Sequence, residues 1–84
     1  MYCVIKRDGR AVDFSISRIS SAIRKAFDAT GIPYASDVID LLALQVTADY
    51  AGKIEDGCIG VEVIQDSVEA VLQRAGYAEV AKAY

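Results

Sequence analysis

Four cations in the first eighteen residues lie in an order suited to holding an anion. Lys6-Arg7-Asp8-Gly9-Arg10 sets three of them around an Asp-Gly pair, the strongest short signal for a β-hairpin, and Arg18 follows in the first turn of an expected helix. A turn that gathers Lys and Arg beside the backbone N–H groups of a helix start has the ingredients of a phosphate site. Successive strand residues face opposite sides, so Lys6 and Arg7 diverge, and Lys6 is expected to face the helices. Arg10 reads as a solvated turn residue. Arg24 and Lys25 read as helix surface, because the apolar stripe beside them runs through Ile23, Ala26 and Phe27.

The rest of the composition removes competing chemistries. The 84 residues contain no His, so neither a Ser-His nor a Cys-His pair exists, and no acids converge with a recognisable spacing; the chain is not expected to be an enzyme. Cys3 and Cys58 could form one bridge, but without His they cannot complete a four-ligand zinc site, and they read most simply as buried, reduced small hydrophobes. Gly52-Lys53 lacks both the upstream Gly and the following Ser or Thr of a Walker motif. No metal ligands are assigned.

Charge narrows the partner. Through Phe27 there are six cations and two anions, whereas three cations and ten anions follow from Asp28 onward, within a net charge of −3 and a pI near 4.7. An acidic protein with a basic front end suits a small anion better than a nucleic-acid backbone. No run approaches the roughly 18 apolar residues of a membrane span, and Met1-Tyr2-Cys3-Val4-Ile5-Lys6 lacks the order of a secretory signal, so the expected setting is cytoplasmic.

Three kinds of element must position these residues. Tyr2 to Ile5 and Ala11 to Phe14 pair as the hairpin. Ser15 is the expected N-cap of a first helix, with Phe14 and Ile19 as its hydrophobic staple and Ile16, Ile19, Ile23, Ala26 and Phe27 as its buried face; Gly31 ends it. A second helix is expected from Ser36 as N-cap to about Ala51, closed by Gly52, with a stripe of Val38, Leu41, Leu42, Val46 and Tyr50. A short extended piece at Cys58-Ile59 offers a third strand. Val61 to Ala75 is the clearest helix, burying Val61, Ile64, Val68, Val71, Leu72 and Ala75 before Gly76, and a last helix begins near Tyr77 and still runs at Tyr84. The fold expected is α+β, a four-helix bundle capped by a small N-terminal β-hairpin or three-stranded sheet, in a single domain over 1–84 that reads as cut from a longer chain.

From Cys3 to Tyr84 the sequence resembles the ATP-cone family. The resemblance rests on Val4-x-Lys6-Arg7-Asp8-Gly9-Arg10, on Phe14 with Arg18-Ile19, Ala22-Ile23 and Lys25-Ala26, on Val61-Glu62-Val63-Ile64-Gln65-Asp66-x-Val68-Glu69 with Leu72, and on Gly76-Tyr77-x-x-Val80-Ala81-x-Ala83-Tyr84. It implies a regulatory module, without catalysis of its own, at the N-terminus of ribonucleotide reductase large subunits. ATP or dATP would be its allosteric effector, with Mg²⁺ carried by the triphosphate, and the parent would be a ribonucleoside-triphosphate or ribonucleoside-diphosphate reductase.

Carried over by position, the resemblance assigns nucleotide binding to Lys6, Arg7, Ser15, Arg18 and Gln65. Arg18 stands where the family usually has Lys, Ser15 where many members have Asp or Asn, and Gln65 where some have His near the ribose and phosphates. Val12 and Val61 occupy positions that are polar in some members, so polar base reading through them is absent here. The implied partners are the nucleotide, the parent's catalytic domain and a second copy through the helices, with neither nucleic acid nor membrane. Two alternatives remain from the sequence: the nucleotide-sensing cone of a ribonucleotide reductase transcriptional repressor, and a helical protein-interaction module without nucleotide.

Overall fold

A computed structural model describes residues 2–84. Two short strands, β1 (Cys3–Ile5) and β2 (Ala11–Asp13), form an antiparallel hairpin, and β3 (Cys58–Gly60) pairs with β1 in parallel, giving the order β2-β1-β3. Four helices follow or interrupt these strands: α1 (Ile16–Thr30), α2 (Ser36–Tyr50), α3 (Val61–Arg74) and α4 (Ala78–Ala83). This is the α+β cap-and-bundle architecture expected, with the three-stranded version of the cap.

The hairpin loop is one residue longer than a two-residue Asp-Gly turn. Lys6 N–H donates to Arg10 O at 2.8 Å and Gly9 N–H donates to Lys6 O at 2.9 Å, with Gly9 at φ +87°. Arg7, Asp8 and Gly9 thus form a three-residue loop whose left-handed position needs a glycine. Lys6 and Arg7 fall past the last ladder-paired residue, not on the first strand itself.

Helix ends follow local chemistry, with two corrections. Gly31 (φ +72°) and Gly76 (φ +90°) stop α1 and α3 in the left-handed conformation. After α3, Tyr77 N–H reaches Leu72 O and Gly76 N–H reaches Gln73 O, the paired bonds of a Schellman motif. Ser36 is the first residue of α2 and Ala35 takes the N-cap position; Gly52 lies within a 3₁₀ turn (Ala51–Lys53) that prolongs the helix instead of closing it.

The core is mostly helical, with Val4 of β1 and Ile59 of β3 joining it from the cap. Ile19, Ile23, Ala26 and Phe27 of α1 are buried as expected, but Ile16 is exposed. On α2 the buried set is Ile39, Leu42, Ala43, Val46 and Tyr50, whereas Leu41 and Leu44 are 55% and 59% exposed, so the buried face is rotated from the expected one. A helix apolar on most sides gives periodicity little power to choose a phase. On α3, Ile64, Val68, Val71 and Leu72 are buried and Ala75 is exposed.

The cysteines are the clearest departure. Cys3 and Cys58 are lateral partners in the β1–β3 pair, their Cα atoms are 4.6 Å apart, and they form a disulfide; both are half-buried, not buried and reduced. The parallel pairing that aligns them joins residues 55 apart in sequence, which local patterns cannot foresee.

Candidate functional site

The first halves of α1 and α3 meet the cap around a cavity of about 200 Å³. Val12, Phe14, Ile19, Val61 and Ile64 make most of its wall apolar, while Lys6, Asp13, Ser15, Arg18 and Gln65 bring polar groups to it. A second, wider depression of about 450 Å³ lies under the hairpin loop, lined by Lys6, Arg7, Asp8, Arg10, Val61 and Gln65. Lys6, Val61 and Gln65 line both, so the two form an inner apolar compartment and an outer cationic one with a common wall.

Each sequence-predicted residue has a definite place here. Lys6 is half-buried and lines both compartments, the orientation expected of it. Arg7 is exposed and turns toward α3, where its Nη2 donates to Gln65 Oε1 at 2.7 Å and its Nε lies 3.8 Å from Glu62 Oε1. Gln65 therefore uses its carbonyl end on Arg7 and retains its Nε2 amide as a donor. Ser15 takes the N-cap backbone position with φ −144°, but its hydroxyl is hydrogen-bonded to Ser17 Oγ at 2.7 Å and makes no cap bond. Arg18, one turn further along α1, is exposed at the edge of the inner compartment.

Arg10 is less free than its neighbours. Asp8 accepts from both its backbone N–H at 3.0 Å and its Nε at 2.7 Å. The bond from the Arg10 backbone, more than any other influence, holds the Asp8 carboxyl below its ordinary pKa.

Two helix starts converge on this site. Ser15, at the N-cap of α1, and Val61, the first residue of α3, both line the inner compartment, so the positive ends of both helix dipoles point toward it. The first turn of α1 carries no acid; that of α3 carries Glu62. An apolar slot opening onto Lys6, Arg7 and Arg18 can take a flat, weakly polar ring at one end and a polyanion at the other. The donors present fit a triphosphate, and no group of three or more metal-ligating side chains exists among the described residues. A third depression, between α2 and α3 near Ala48 and Ala75, offers one cation, Arg74, already bonded to Asp49 at 2.8 Å.

Comparison with known proteins agrees with this geometry. The family model described as the ATP cone domain matches residues 2–84. The chain belongs to the ATP-cone family. It is 39% identical over 87 residues to the ribonucleoside-diphosphate reductase subunit alpha of Chlamydia pneumoniae, an alignment covering 96% of the chain and 8% of that protein. It is also 36% identical over 84 residues to the anaerobic ribonucleoside-triphosphate reductase of Haemophilus influenzae, covering 96% of the chain and 11% of that protein. The chain thus spans about a tenth of the length of these relatives.

In this ATP cone several pocket residues escaped the sequence reading. Phe14, foreseen as a strand end, a staple and part of the family pattern but not as a pocket wall, stacks on Tyr2 with ring centroids 4.5 Å apart and meets Tyr50 edge-on, so the inner wall rests on an aromatic cluster. Tyr2 and Tyr50 are joined through their hydroxyls. Tyr84 returns to the inner compartment from the end of α4, and burial pushes its phenol pKa upward, with Glu69 adding to the effect. Its signal in the sequence was an aromatic at the end of the last apolar helix, which by itself does not separate core from site. Glu62 gave no signal beyond its place in the first turn of α3.

Proposed function

We propose that this ATP cone is the allosteric ATP/dATP site of a ribonucleotide reductase large subunit and controls that enzyme's overall activity without catalysing a reaction itself. The observation that supports it most is the two-compartment cleft. Its inner end, walled by Val12, Phe14 and Val61, suits the adenine ring, and its outer end gathers Lys6, Arg7 and Gln65 where the phosphates would run. Arg18 closes the rim and Ser15 lies within reach of the sugar or base. Arg at position 18 offers a planar fork where a Lys would offer a point charge, which favours two-point contact with a phosphate.

Mg²⁺ would arrive with the triphosphate and be held by it, as such sites usually hold Mg²⁺ largely through substrate phosphates. ATP and dATP differ only at the 2′-hydroxyl. Regulation then requires that each nucleotide bias two arrangements of the cap, the helices or their contacts to the catalytic domain or to another copy.

Calorimetric titration of the chain with ATP and with dATP in the presence of Mg²⁺ tests the reading. Saturable binding is expected, weakened about tenfold or more in Lys6→Ala, because a hydrogen bond to a charged group contributes about 1.5–3 kcal/mol. A chain that is folded and binds neither nucleotide overturns it.

A further inference from the structure

Arg7 is the loop cation whose partner can be exchanged. Arg10 is tied to Asp8 through Nε, and Lys6 is half-buried against the cleft, whereas Arg7 stands exposed and its side-chain partners among the described residues, Glu62 and Gln65, are both on α3. Glu62 and Gln65 are three residues apart on α3 and so present neighbouring groups to one guanidinium. Gln65 lines the cleft; Glu62, at its mouth, lines neither compartment. A carboxylate beside the cation that the phosphates would meet opposes anion binding, so its presence there calls for a reason other than affinity.

Resting on the nucleotide reading above, we infer that Glu62 is an affinity-setting residue: it holds the Arg7 guanidinium against α3 in the empty domain and yields it to a phosphate group when a nucleoside triphosphate binds. The fork geometry of arginine makes the exchange a substitution at one edge. Nη2 keeps its bond to Gln65 while the Nε edge passes from a carboxylate to a phosphate oxygen. The Lys6–Arg10 backbone bond and the Asp8–Arg10 bonds hold the shape of the loop, so only the Arg7 side chain has to move. Since Arg7 and Glu62 are 68% and 74% exposed, the pair adds little to folding stability, and removing the carboxylate leaves the fold in place. Glu62 thereby lowers by one common factor the affinity for every anion that takes the Arg7 guanidinium.

The test is a double-mutant cycle read by calorimetry, with ATP and inorganic tripolyphosphate as probes and circular dichroism melts to confirm folding of each variant. Glu62→Gln is expected to bind both probes about two- to fivefold more tightly than the unaltered chain, the range of an exposed ion pair. In an Arg7→Ala background the same substitution is expected to change nothing. Equal affinity of the unaltered chain and Glu62→Gln overturns the inference and leaves nucleotide binding standing. A gain that persists without Arg7 also overturns it, because Glu62 would then act as a general field and not through this guanidinium. Absence of binding by every form overturns both the inference and the reading on which it rests.

Discussion

The two ends of the α1 and α3 pair are built for opposite purposes. Where the helices start, they flank the cleft, present Ser15, Arg18 and Gln65 to it, and leave the closure to three short strands. Where they end, Phe27 is fully buried with Tyr77 edge-on at 5.0 Å and Tyr34 tilted against it at 5.3 Å, and left-handed glycines turn the chain away. The finish is dry and aromatic; the start is half-open and cationic. α4 joins them, running from Tyr77 at the closed end back to Tyr84 in the cleft. A small domain can keep an open polar site at one end because the other end concentrates its packing.

Damage to the closed end should therefore cost folding itself. Phe27→Ala removes a fully buried ring with two aromatic partners, and substitutions of this kind cost about 3–5 kcal/mol. Total stability in domains is about 5–15 kcal/mol, with small ones near the bottom, so urea denaturation should show this variant mostly unfolded or with its midpoint collapsed. A midpoint shifted by less than about 1 kcal/mol would mean that the aromatic end is not where stability resides.

The open end depends instead on a covalent tie. The Cys3–Cys58 bond joins β1, which leads into Lys6, to β3, which leads into α3 and Gln65, and so fastens the two walls of the cleft. Reduction, or Cys58→Ser, is expected to lower stability by about 2–4 kcal/mol by freeing a loop spanning 55 residues in the unfolded chain. Denaturation with and without a thiol reductant measures it. An unchanged midpoint would show that the strands pair as well without the bond.

The same contrast explains what could be read from the sequence. α1 and α3 have apolar positions at clean helical spacing, so their extents and most of their buried residues were legible, as was Lys6 facing inward. α2 was not, because Ile39, Leu41, Ala43 and Leu44 make several faces equally apolar and only the packing of neighbours decides which is covered. The cleft was legible where its residues cluster near the hairpin. Tyr84 and Asp13 were missed because they reach it through α4 and the edge strand, and Glu62 because the α3 terminus sets it beside Arg7, placements that depend on tertiary structure. The disulfide failed for the same reason, since strand order is not a local property.

A substitution at the rim sharpens the comparison by separating binding from folding. Arg18 is exposed on α1, so Arg18→Ala should leave the denaturation midpoint within about 0.5 kcal/mol while weakening ATP binding about tenfold. Arg18→Lys should recover part of that loss, since it keeps the charge and gives up the fork. Equal losses of binding and stability in Arg18→Ala would place the residue in the fold and remove it from the site.

The smallest effect expected is a pH dependence at the alkaline limit, and it touches both ends. Burial raises the phenol pKa of Tyr2 under the cap, of Tyr34 at the closed end and of Tyr84 in the cleft. Tyr2 is raised furthest, helped by its bond to Tyr50, while Tyr34 donates to Asp28 Oδ1 at 3.0 Å. A tyrosine whose folded pKa exceeds its unfolded value binds its proton more tightly when folded. Its contribution is complete below the ordinary value of 10.0 and is lost as pH rises from there through the folded pKa. Stability should hold up to about pH 10 and then fall, with tyrosinate absorbance lagging behind that of the urea-unfolded chain. Tyr84→Phe should remove only the part of the lag that belongs to the cleft, and bound ATP, by covering that compartment, should enlarge this part alone. A lag that ATP leaves unchanged would separate Tyr84 from the nucleotide site.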